Sequence, residues 1–324
     1  MPHAIRFHAT GGPEVLQWEE VAVGDPGPGE ARVRHTVVGV NYIDTYHRSG
    51  LYKLPLPSGL GTEAAGVVEA VGSGVDWVAP GDRVAFATAP IGTYSEVRVM
   101  PADKLVKIPA GVSDRSAATL MLKGLTVQYL FRQTYPLKAG DTILYHAAAG
   151  GVGLIACQWA RALGVTMIGT VGSDAKAELA KANGCTHTIV YTRENFVDEV
   201  KRLTGGKGVP VVYDSVGKDT FPASLDCLSP RGLFVSFGNA SGPVANFDLM
   251  LLAQKGSLYA TRPTLLTHVA TREKLNAAAD EMFGLVANGK IVSEPRQTFA
   301  LKDAADAHRA LESRGTTGAT VLLP

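Results

Sequence analysis

The sequence predicts an α/β protein with two domains: a doubly wound, six-stranded parallel sheet and a mainly β, partly barrel-like domain. Three observations support this fold class. Residues 1–112 consist of short alternating apolar segments separated by Gly and Pro, a pattern typical of strands and turns. From about residue 124, apolar strands alternate with helical patterns, as in sheets whose parallel strands are joined by crossover helices. The length of 324 residues suits two domains.

The first part of the chain contains five segments with the two-residue period of a strand. These segments are residues 4–8, 31–40, 63–71, 82–87 and 94–100. Residues 25–30 and 73–82 are rich in Gly, Pro and Asp and predict turns.

The second part contains six predicted strands, at 142–146, 166–171, 187–190, 209–214, 232–238 and 257–261. Helices are predicted after the first three strands, at 152–164, 174–184 and 194–206. A six-stranded doubly wound sheet is complete without the last segment, which carries helices at 271–288 and near 302–313 and a strand at 317–323. We therefore expect that segment to return to the first domain, and we predict one domain of residues 1–123 with 263–324 and another of residues 124–262.

Composition excludes several classes of protein. A formal charge of +1 gives no reason to expect nucleic acid or an anionic membrane as a partner. The three cysteines are far apart, which argues against a disulfide framework and fits a reducing compartment. No stretch reaches the ~18 apolar residues of a membrane span, and the N-terminus lacks a signal-peptide pattern. We expect a cytoplasmic protein.

The segment HAAAGGVGLIACQWARALG contains the clearest motif. Ala148, Gly150 and Gly153 form a variant of GxGxxG between a predicted strand and a predicted helix, the context required for dinucleotide binding. Small residues let the backbone approach a pyrophosphate at the helix N-terminus. The alternative is a tight turn without a ligand, and the surrounding β/α units favour the dinucleotide. Cys157 and Trp159 are expected to pack in the core.

The end of the second predicted strand indicates which dinucleotide binds. NAD-binding proteins usually carry an acid at this point to hold the ribose 2′-hydroxyl. Here the chain continues with Gly172, Ser173, Asp174 and, two residues later, Lys176. A hydroxyl and a cation suit a 2′-phosphate, so NADPH is favoured, provided that Asp174 serves to cap the next helix.

Several motifs together resemble a known family along the whole chain: NYIDTYHRSGLY, PSGLGTEAAG, KGLTVQYL, HAAAGGVG, VVYDSVG and FGNASG. They are similar to the medium-chain dehydrogenase/reductase superfamily, and within it to the quinone oxidoreductases related to zeta-crystallin. The resemblance implies a Rossmann domain and a GroES-like domain, with hydride transfer in the cleft between them.

The same resemblance implies that no metal is bound. Zinc alcohol dehydrogenases of this superfamily have a ligand Cys where this chain has Asn41, and a Gly-His-Glu motif where it has Gly61, Thr62 and Glu63. The eight histidines show no zinc-ligand spacing. Without a Lewis acid, we expect the reaction to reduce an electrophile that accepts hydride unaided, such as a quinone.

The resemblance also assigns residues to the two halves of the site. The predicted coenzyme-binding residues are Tyr42, Thr126, Ala148, Gly150, Gly151, Val152, Gly153, Gly172, Ser173, Lys176, Tyr191, Val216, Phe237, Gly238, Asn239, Ser241 and Arg314. The predicted catalytic residues are Asn41, Asp44, Tyr46, Tyr52 and Thr126. By spacing alone, a packing role is favoured for the tyrosines, and the resemblance reverses this preference. Lys123 and Arg262 are expected to be solvated hinge residues, and Asp214 to accept hydrogen bonds from loop N–H groups.

These observations predict an NADPH-dependent quinone reductase. The resemblance also implies a homodimer formed through the nucleotide-binding domain, and the apolar edge strand at 257–261 suits such pairing. Two alternatives stay open. One is an enone double-bond reductase, for which Tyr46 and Tyr52 are the visible proton donors. The other is a nucleotide-bound structural protein, as some relatives of zeta-crystallin are.

Overall fold

The computed structural model of the chain describes residues 1–88, 90–313 and 315–324. In chain order, its strands are β1 (His3–Phe7), β2 (Gln17–Glu20), β3 (Glu30–Val40), β4 (Ser58–Gly59), β5 (Glu63–Val71), β6 (Arg83–Ala87), β7 (Val97–Pro101), β8 (Val106–Lys107), β9 (Thr142–Tyr145), β10 (Thr166–Val171), β11 (His187–Val190), β12 (Val209–Asp214), β13 (Leu228–Ser236), β14 (Tyr259–Thr261), β15 (Pro295–Ala300) and β16 (Ala319–Leu323). Its α-helices are α1 (Tyr42–Ser49), α2 (Asp114–Tyr129), α3 (Gly151–Leu163), α4 (Asp174–Ala182), α5 (Phe196–Leu203), α6 (Met250–Gln254), α7 (Leu265–His268), α8 (Arg272–Ala287) and α9 (Ala304–Glu312).

The described chain forms two compact units. One consists of residues 1–125 and 269–324, and we call it the split unit. The other consists of residues 126–268, and we call it the continuous unit. No helix among the described residues has the length and apolar character that crossing a bilayer requires.

The continuous unit contains a six-stranded sheet in the order β11-β10-β9-β12-β13-β14, with every neighbouring pair parallel. Counted within the unit, this is the order 3-2-1-4-5-6 of a Rossmann fold. Its central strands β9, β10 and β12 are apolar and almost completely buried, as expected when helices cover a parallel sheet. The predicted sheet is confirmed, and the ends of β9 and β12 lie side by side where the strand order reverses.

The split unit contains two sheets. One has the order β2-β1-β4. The other follows β15-β16-β3-β5-β6-β8, with β7 also paired to β3. The C-terminal strand β16 pairs antiparallel with β3, so the end of the chain is built into the sheet of the first residues. Buried side chains of both sheets share one core with α9. The predicted fold class, a Rossmann sheet with a mainly β second domain, is confirmed.

Two helices of the first 130 residues, α1 and α2, were absent from the prediction. α1 begins after Asn41, whose backbone is extended, and the Asp44 carboxylate accepts the Asn41 backbone N–H at 2.9 Å. It ends at Gly50, whose φ of 84° is the left-handed conformation that glycine adopts readily. An Asn followed three residues later by an acid is a sequence signal for the start of a helix, but it is a short one.

Candidate functional site

The turn between β9 and α3 in the continuous unit has the form expected for a phosphate-binding loop. Ala147 has a φ of 58°, so its carbonyl accepts the Gly150 N–H at 3.0 Å and closes the turn. Gly150 then stands at the N-cap of α3, and no side chain caps the helix. The first N–H groups of α3 have no partner within the helix and carry its positive partial charge.

The position of Gly153 shows why this turn requires glycine. A Cβ atom there would collide with the Ala147 carbonyl oxygen and lie 2.6 Å from the Ala148 carbonyl. The first turn of α3 therefore packs directly on the backbone of the loop. On the same helix, Cys157 and Trp159 are completely buried, which confirms their predicted packing role.

The end of β10 brings together four predicted residues. Ser173 is the N-cap of α4, and its hydroxyl accepts the Lys176 N–H at 3.4 Å. Tyr191 follows β11, and its hydroxyl lies beside Gly172, where a Cβ atom would be 2.9 Å away. The hydroxyls of Ser173 and Tyr191 thus lie near the start of α4, and Lys176 is the third residue of that helix.

The predicted role of Asp174 as a helix cap is wrong. Ser173 caps α4, while Asp174 occupies its first position and forms a two-point ion pair with Arg193, at 2.6 and 2.7 Å. The sequence did not indicate Arg193, because the pairing depends on how the ends of β10 and β11 lie together.

The loops at the carboxyl ends of β12 and β13 carry five further predicted coenzyme residues: Val216, Phe237, Gly238, Asn239 and Ser241. Both N–H groups of Val216 and Gly217 donate to the buried Asp214 carboxylate, at 2.8 and 3.0 Å, so the prediction for Asp214 is confirmed. The Ser241 hydroxyl donates to the Val216 carbonyl at 2.9 Å and ties the two loops together.

Phe237, Gly238 and Asn239 follow β13 directly. The Phe237 ring packs against Tyr145 of β9, with ring centroids 5.8 Å apart. The Gly238 carbonyl accepts a hydrogen bond from the Arg262 guanidinium at 3.2 Å. Thr126 is a buried residue of α2. Arg314, predicted to contact the coenzyme, lies outside the described residues.

In the split unit, the predicted catalytic residues Asn41 and Asp44 belong to a buried hydrogen-bonded network. We call it the polar cluster, and it consists of Asn41, Asp44, Arg48, Glu63, Tyr94, Lys123 and His308. The Glu63 carboxylate, which is completely buried, accepts hydrogen bonds from the Asn41 amide at 2.9 Å and from Lys123 at 2.8 Å. The backbone N–H of Leu122 donates to its second oxygen at 2.6 Å.

Lys123 is therefore not the solvated residue that the sequence suggested. Its side chain is 5% exposed and forms an ion pair with Glu63. The Glu63 contact also fixes the Asn41 amide, because the amide nitrogen must face the carboxylate. The sequence did not indicate the pairing of Glu63 with Lys123, because the two residues lie on different elements, β5 and α2.

The Asp44 carboxyl lies at the end of a directed chain of hydrogen bonds. Arg48 donates to Nδ1 of His308 at 2.9 Å, so Nε2 of His308 carries the proton and donates to the Tyr94 hydroxyl at 3.1 Å. Tyr94 in turn donates to Oδ2 of Asp44 at 2.9 Å. The other oxygen, Oδ1, is buried without a partner.

Burial determines which side chains in this series of hydrogen bonds are protonated. It raises the pKa of Asp44 to about 7, although the hydrogen bonds from Asn41 and Tyr94 favour the ionised form. Burial and the Arg48 charge lower the pKa of His308 to about 3. At neutral pH, His308 is neutral and Asp44 is divided between its two protonation states.

Three aromatic rings lie together at and after α1. The Tyr46 ring packs against Tyr42 and Tyr52, with centroids 6.4 and 5.4 Å apart, and the Tyr52 backbone N–H donates to the Tyr46 carbonyl. The Tyr42 hydroxyl donates to the Leu311 carbonyl at 3.1 Å. All three side chains are partly exposed.

No cluster of three or more His, Cys, Asp or Glu with metal-binding geometry occurs in the part of the chain that the structure describes. Asn41 and Thr62, where the superfamily has zinc ligands by resemblance, are both buried.

Comparison with known proteins now decides the family. Residues 27–110 match the model of the alcohol dehydrogenase GroES-like domain, and residues 151–279 match that of the zinc-binding dehydrogenases. A quinone oxidoreductase of Pseudomonas aeruginosa is 60% identical, with complete coverage of both chains. The chain belongs to the quinone oxidoreductases of the medium-chain dehydrogenase/reductase superfamily. The predicted family is confirmed.

Two further proteins are similar to this chain over nearly their whole length. The crystal structure of Escherichia coli quinone oxidoreductase complexed with NADPH is 54% identical, covers 99% of this chain and 100% of its own, and has a TM-score of 0.98. A 2-haloacrylate reductase of Burkholderia is 47% identical over 100% of this chain and 99% of its own.

The residues that sequence analysis missed act through long-range contacts. Glu63 was noted only as part of a lost zinc motif, Lys123 was assigned to solvent, and Tyr94, His308 and Arg193 were not singled out. The one local signal among them was Glu63, a lone charge within the small, apolar segment LGTEAAG.

Proposed function

We propose that this chain binds NADPH on its continuous unit and reduces quinones by hydride transfer. One observation carries the proposal most directly: α3 begins without a side-chain cap, and Gly153 packs its first turn onto the loop carbonyls. Unpaired N–H groups and the positive helix end suit a pyrophosphate, and the cleared backbone admits it closely. The names of the relatives support the same coenzyme and substrate class.

The residues at the start of α4 support NADPH rather than NADH. Ser173 at the N-cap of α4, Lys176 in its first turn and Tyr191 beside Gly172 would contribute two hydroxyls and a cation to the 2′-phosphate. The Lys176→Ala variant should lose roughly one to two decades of NADPH affinity and little NADH affinity, because a charge-assisted hydrogen bond is worth ~1.5–3 kcal/mol. Lys181→Ala is the matched control, since Lys181 lies on the same helix and pairs with Glu178. Equal losses for both coenzymes would contradict the assignment of Lys176.

Bound NADPH supplies a hydride from its nicotinamide ring. The protein groups that would act on the quinone are the Asn41 amide and the hydroxyls of Tyr46 and Tyr52, which can donate hydrogen bonds to a carbonyl oxygen as it gains charge. Asn41 and Thr62 present an amide and a hydroxyl, which are not the usual zinc ligands, and the Asn41 amide already bonds to Glu63. We therefore propose that the reaction proceeds without zinc.

A second candidate, reduction of an activated carbon–carbon double bond, is favoured by one finding, the similarity to the 2-haloacrylate reductase. That reaction places hydride on carbon and needs a proton for the neighbouring carbon. Tyr46 and Tyr52, which are partly exposed residues, carry hydroxyls that could supply it.

A turnover assay distinguishes these functions. NADPH consumption is measured with benzoquinones and with enones and 2-haloacrylates of similar size, with NADPH saturating and after treatment with a zinc chelator. We expect quinones to be reduced with the highest kcat/KM and chelation to leave the rate unchanged. Preference for the enone or haloacrylate would support the second candidate, and binding of NADPH with no turnover on any substrate would support a structural role.

We also propose that the chain forms a homodimer through the continuous unit. β14 is the edge of the parallel sheet, and its Tyr259 side chain is 58% exposed. Light scattering should give the mass of two chains for the wild type. Ala260→Pro, which removes a backbone donor on this edge strand, should shift the mass towards one chain, and an unchanged dimer would place the interface elsewhere.

A further inference from the structure

The ion pair between Asp174 and Arg193 lies at the point where the proposed function places the coenzyme 2′-phosphate. Asp174 is the first residue of α4, directly after Ser173 and two residues before Lys176. Its side chain is 73% exposed, and the hydrogen bond from Arg193 lowers the pKa of its carboxyl, so it is ionised at neutral pH. An unpaired carboxylate here would repel a phosphate dianion.

Arg193 neutralises the charge of Asp174 through a planar, two-point ion pair. Nη1 donates to Oδ2 of Asp174 at 2.7 Å and Nη2 donates to Oδ1 at 2.6 Å, so both carboxylate oxygens are engaged. A lysine could not reproduce this pairing.

The backbone around Arg193 is fixed to the end of β10. Val171 and Val190 are directly paired in the parallel ladder, so β10 and β11 end together. The Tyr191 N–H then donates to the Val171 carbonyl at 3.1 Å, and the Thr192 hydroxyl to the Gly172 carbonyl at 3.4 Å. Finally, the Arg193 N–H donates to the Val190 carbonyl at 3.0 Å and closes the turn. Arg193 is thus placed opposite Asp174 by the sheet register.

We infer that Arg193 is a specificity-determining residue for the coenzyme, because it neutralises Asp174 and so lets Ser173 and Lys176 receive a 2′-phosphate. With Arg193 present, the three charges of Lys176, Asp174 and Arg193 leave one positive charge at the start of α4. Without it, Asp174 cancels Lys176, and its carboxylate becomes available to a ribose 2′-hydroxyl, the contact that favours NADH. This inference rests on the proposed function and names the residue that sets its coenzyme preference.

The inference separates two ways in which an arginine can favour a phosphate. If Arg193 acts by pairing with Asp174, removal of the Asp174 charge makes Arg193 dispensable. If Arg193 contacts the phosphate itself, removal of that charge does not compensate for its loss. A double-mutant cycle between the two positions decides between these cases.

The experiment measures calorimetric affinities for adenosine 2′,5′-bisphosphate and for 5′-AMP, which differ by the 2′-phosphate alone and require no turnover. The proteins are the full-length wild type, Arg193→Ala, Asp174→Asn and the double variant. Arg202→Ala is the matched control, because Arg202 forms an exposed ion pair with Glu199 on α5. Thermal unfolding of each variant confirms that it is folded.

We expect Arg193→Ala to weaken binding of the bisphosphate about three- to tenfold, the effect of one screened charge on a nearby dianion, and to leave 5′-AMP binding within about twofold. The double variant should bind the bisphosphate within about twofold of the wild type, and Arg202→Ala should be unchanged. No effect of Arg193→Ala, or a loss that Asp174→Asn fails to restore, would overturn the inference. A wild type that binds both nucleotides equally would overturn the proposed NADPH preference as well.

Discussion

The two units build their predicted functional residues into the structure in opposite ways. In the continuous unit, the loop before α3 and the start of α4 are built from backbone groups, glycine and neighbours in sequence: the Ala147 carbonyl accepts the Gly150 N–H, and the Ser173 hydroxyl accepts the Lys176 N–H. In the split unit, the polar cluster is built from side chains that are distant in sequence. Lys123 lies 60 residues from Glu63, and His308 lies 214 residues from Tyr94. We expect an added Cβ atom to disrupt the loop of the continuous unit, and removal of a charge to destabilise the polar cluster of the split unit.

The largest expected effect is on the polar cluster. Lys123→Met removes the cation that faces the completely buried Glu63 carboxylate. The variant should lose ~3–5 kcal/mol of unfolding free energy, because it leaves a buried charge without its partner. Chemical denaturation measures the loss, with Lys181→Met of the exposed pair with Glu178 as control, for which ~0–1 kcal/mol is expected. A loss at Lys123 no greater than that of the control would mean that the buried pair contributes no more than a surface pair.

The ionisation of Asp44 makes stability depend on pH. Burial raises its pKa from 3.8 to about 7, so the folded chain keeps a proton that the unfolded chain releases from pH 4 upwards. The stability that this proton contributes is present at low pH, falls as the pH rises through that interval and is lost above pH 7.

Asp44→Asn removes this dependence, because an amide cannot ionise and still accepts the Tyr94 hydrogen bond. At pH 8 the variant should exceed the wild type by up to ~4 kcal/mol, from three pH units at 1.36 kcal/mol each, and the difference should vanish towards pH 4. Denaturation at several pH values measures it, with the exposed Asp306→Asn as control. A difference that is the same at pH 4 and pH 8 would contradict the raised pKa.

Next in size is the effect of a single methyl group in the continuous unit. Gly153→Ala drives a Cβ atom into the Ala147 and Ala148 carbonyls, so the loop and the first turn of α3 must separate. Coenzyme affinity should fall by about 100-fold, or ~2.7 kcal/mol. Gly284→Ala in α8 is the matched control, since a Cβ atom there meets nothing within 4 Å. Calorimetric titration with NADPH checks both, and equal affinities would show that α3 does not need the close approach.

The difference between the units also explains how far the sequence could predict them. The alternation of strands with helices, Gly153 and Ser173 are local signals, and they were sufficient for the Rossmann sheet and its loop. The Glu63–Lys123 pair and the chain from Arg48 to Asp44 join separate elements, so no local pattern contains them. The pairing of Arg193 with Asp174 could be identified only once the register of β10 and β11 was known.

The smallest expected effect concerns the tyrosines of the split unit. If Tyr52 only donates a hydrogen bond to a quinone oxygen, Tyr52→Phe should lower kcat/KM by about two- to twelvefold, or ~0.5–1.5 kcal/mol. If it protonates carbon in an enone, the loss should be ~10²–10⁴-fold on that substrate. Assays on both substrates decide between these roles, with Tyr46→Phe as the neighbouring comparison.

The most direct test of the proposed function is the rate of quinone reduction with NADPH deuterated at C4 of the nicotinamide. Single turnovers are followed by stopped-flow with each of the two C4 isotopomers, at saturating quinone. Direct hydride transfer predicts that one isotopomer reacts more slowly than unlabelled NADPH and that the other reacts at nearly the unlabelled rate. Equal rates for all three, in turnovers limited by chemistry, would contradict hydride transfer to the quinone.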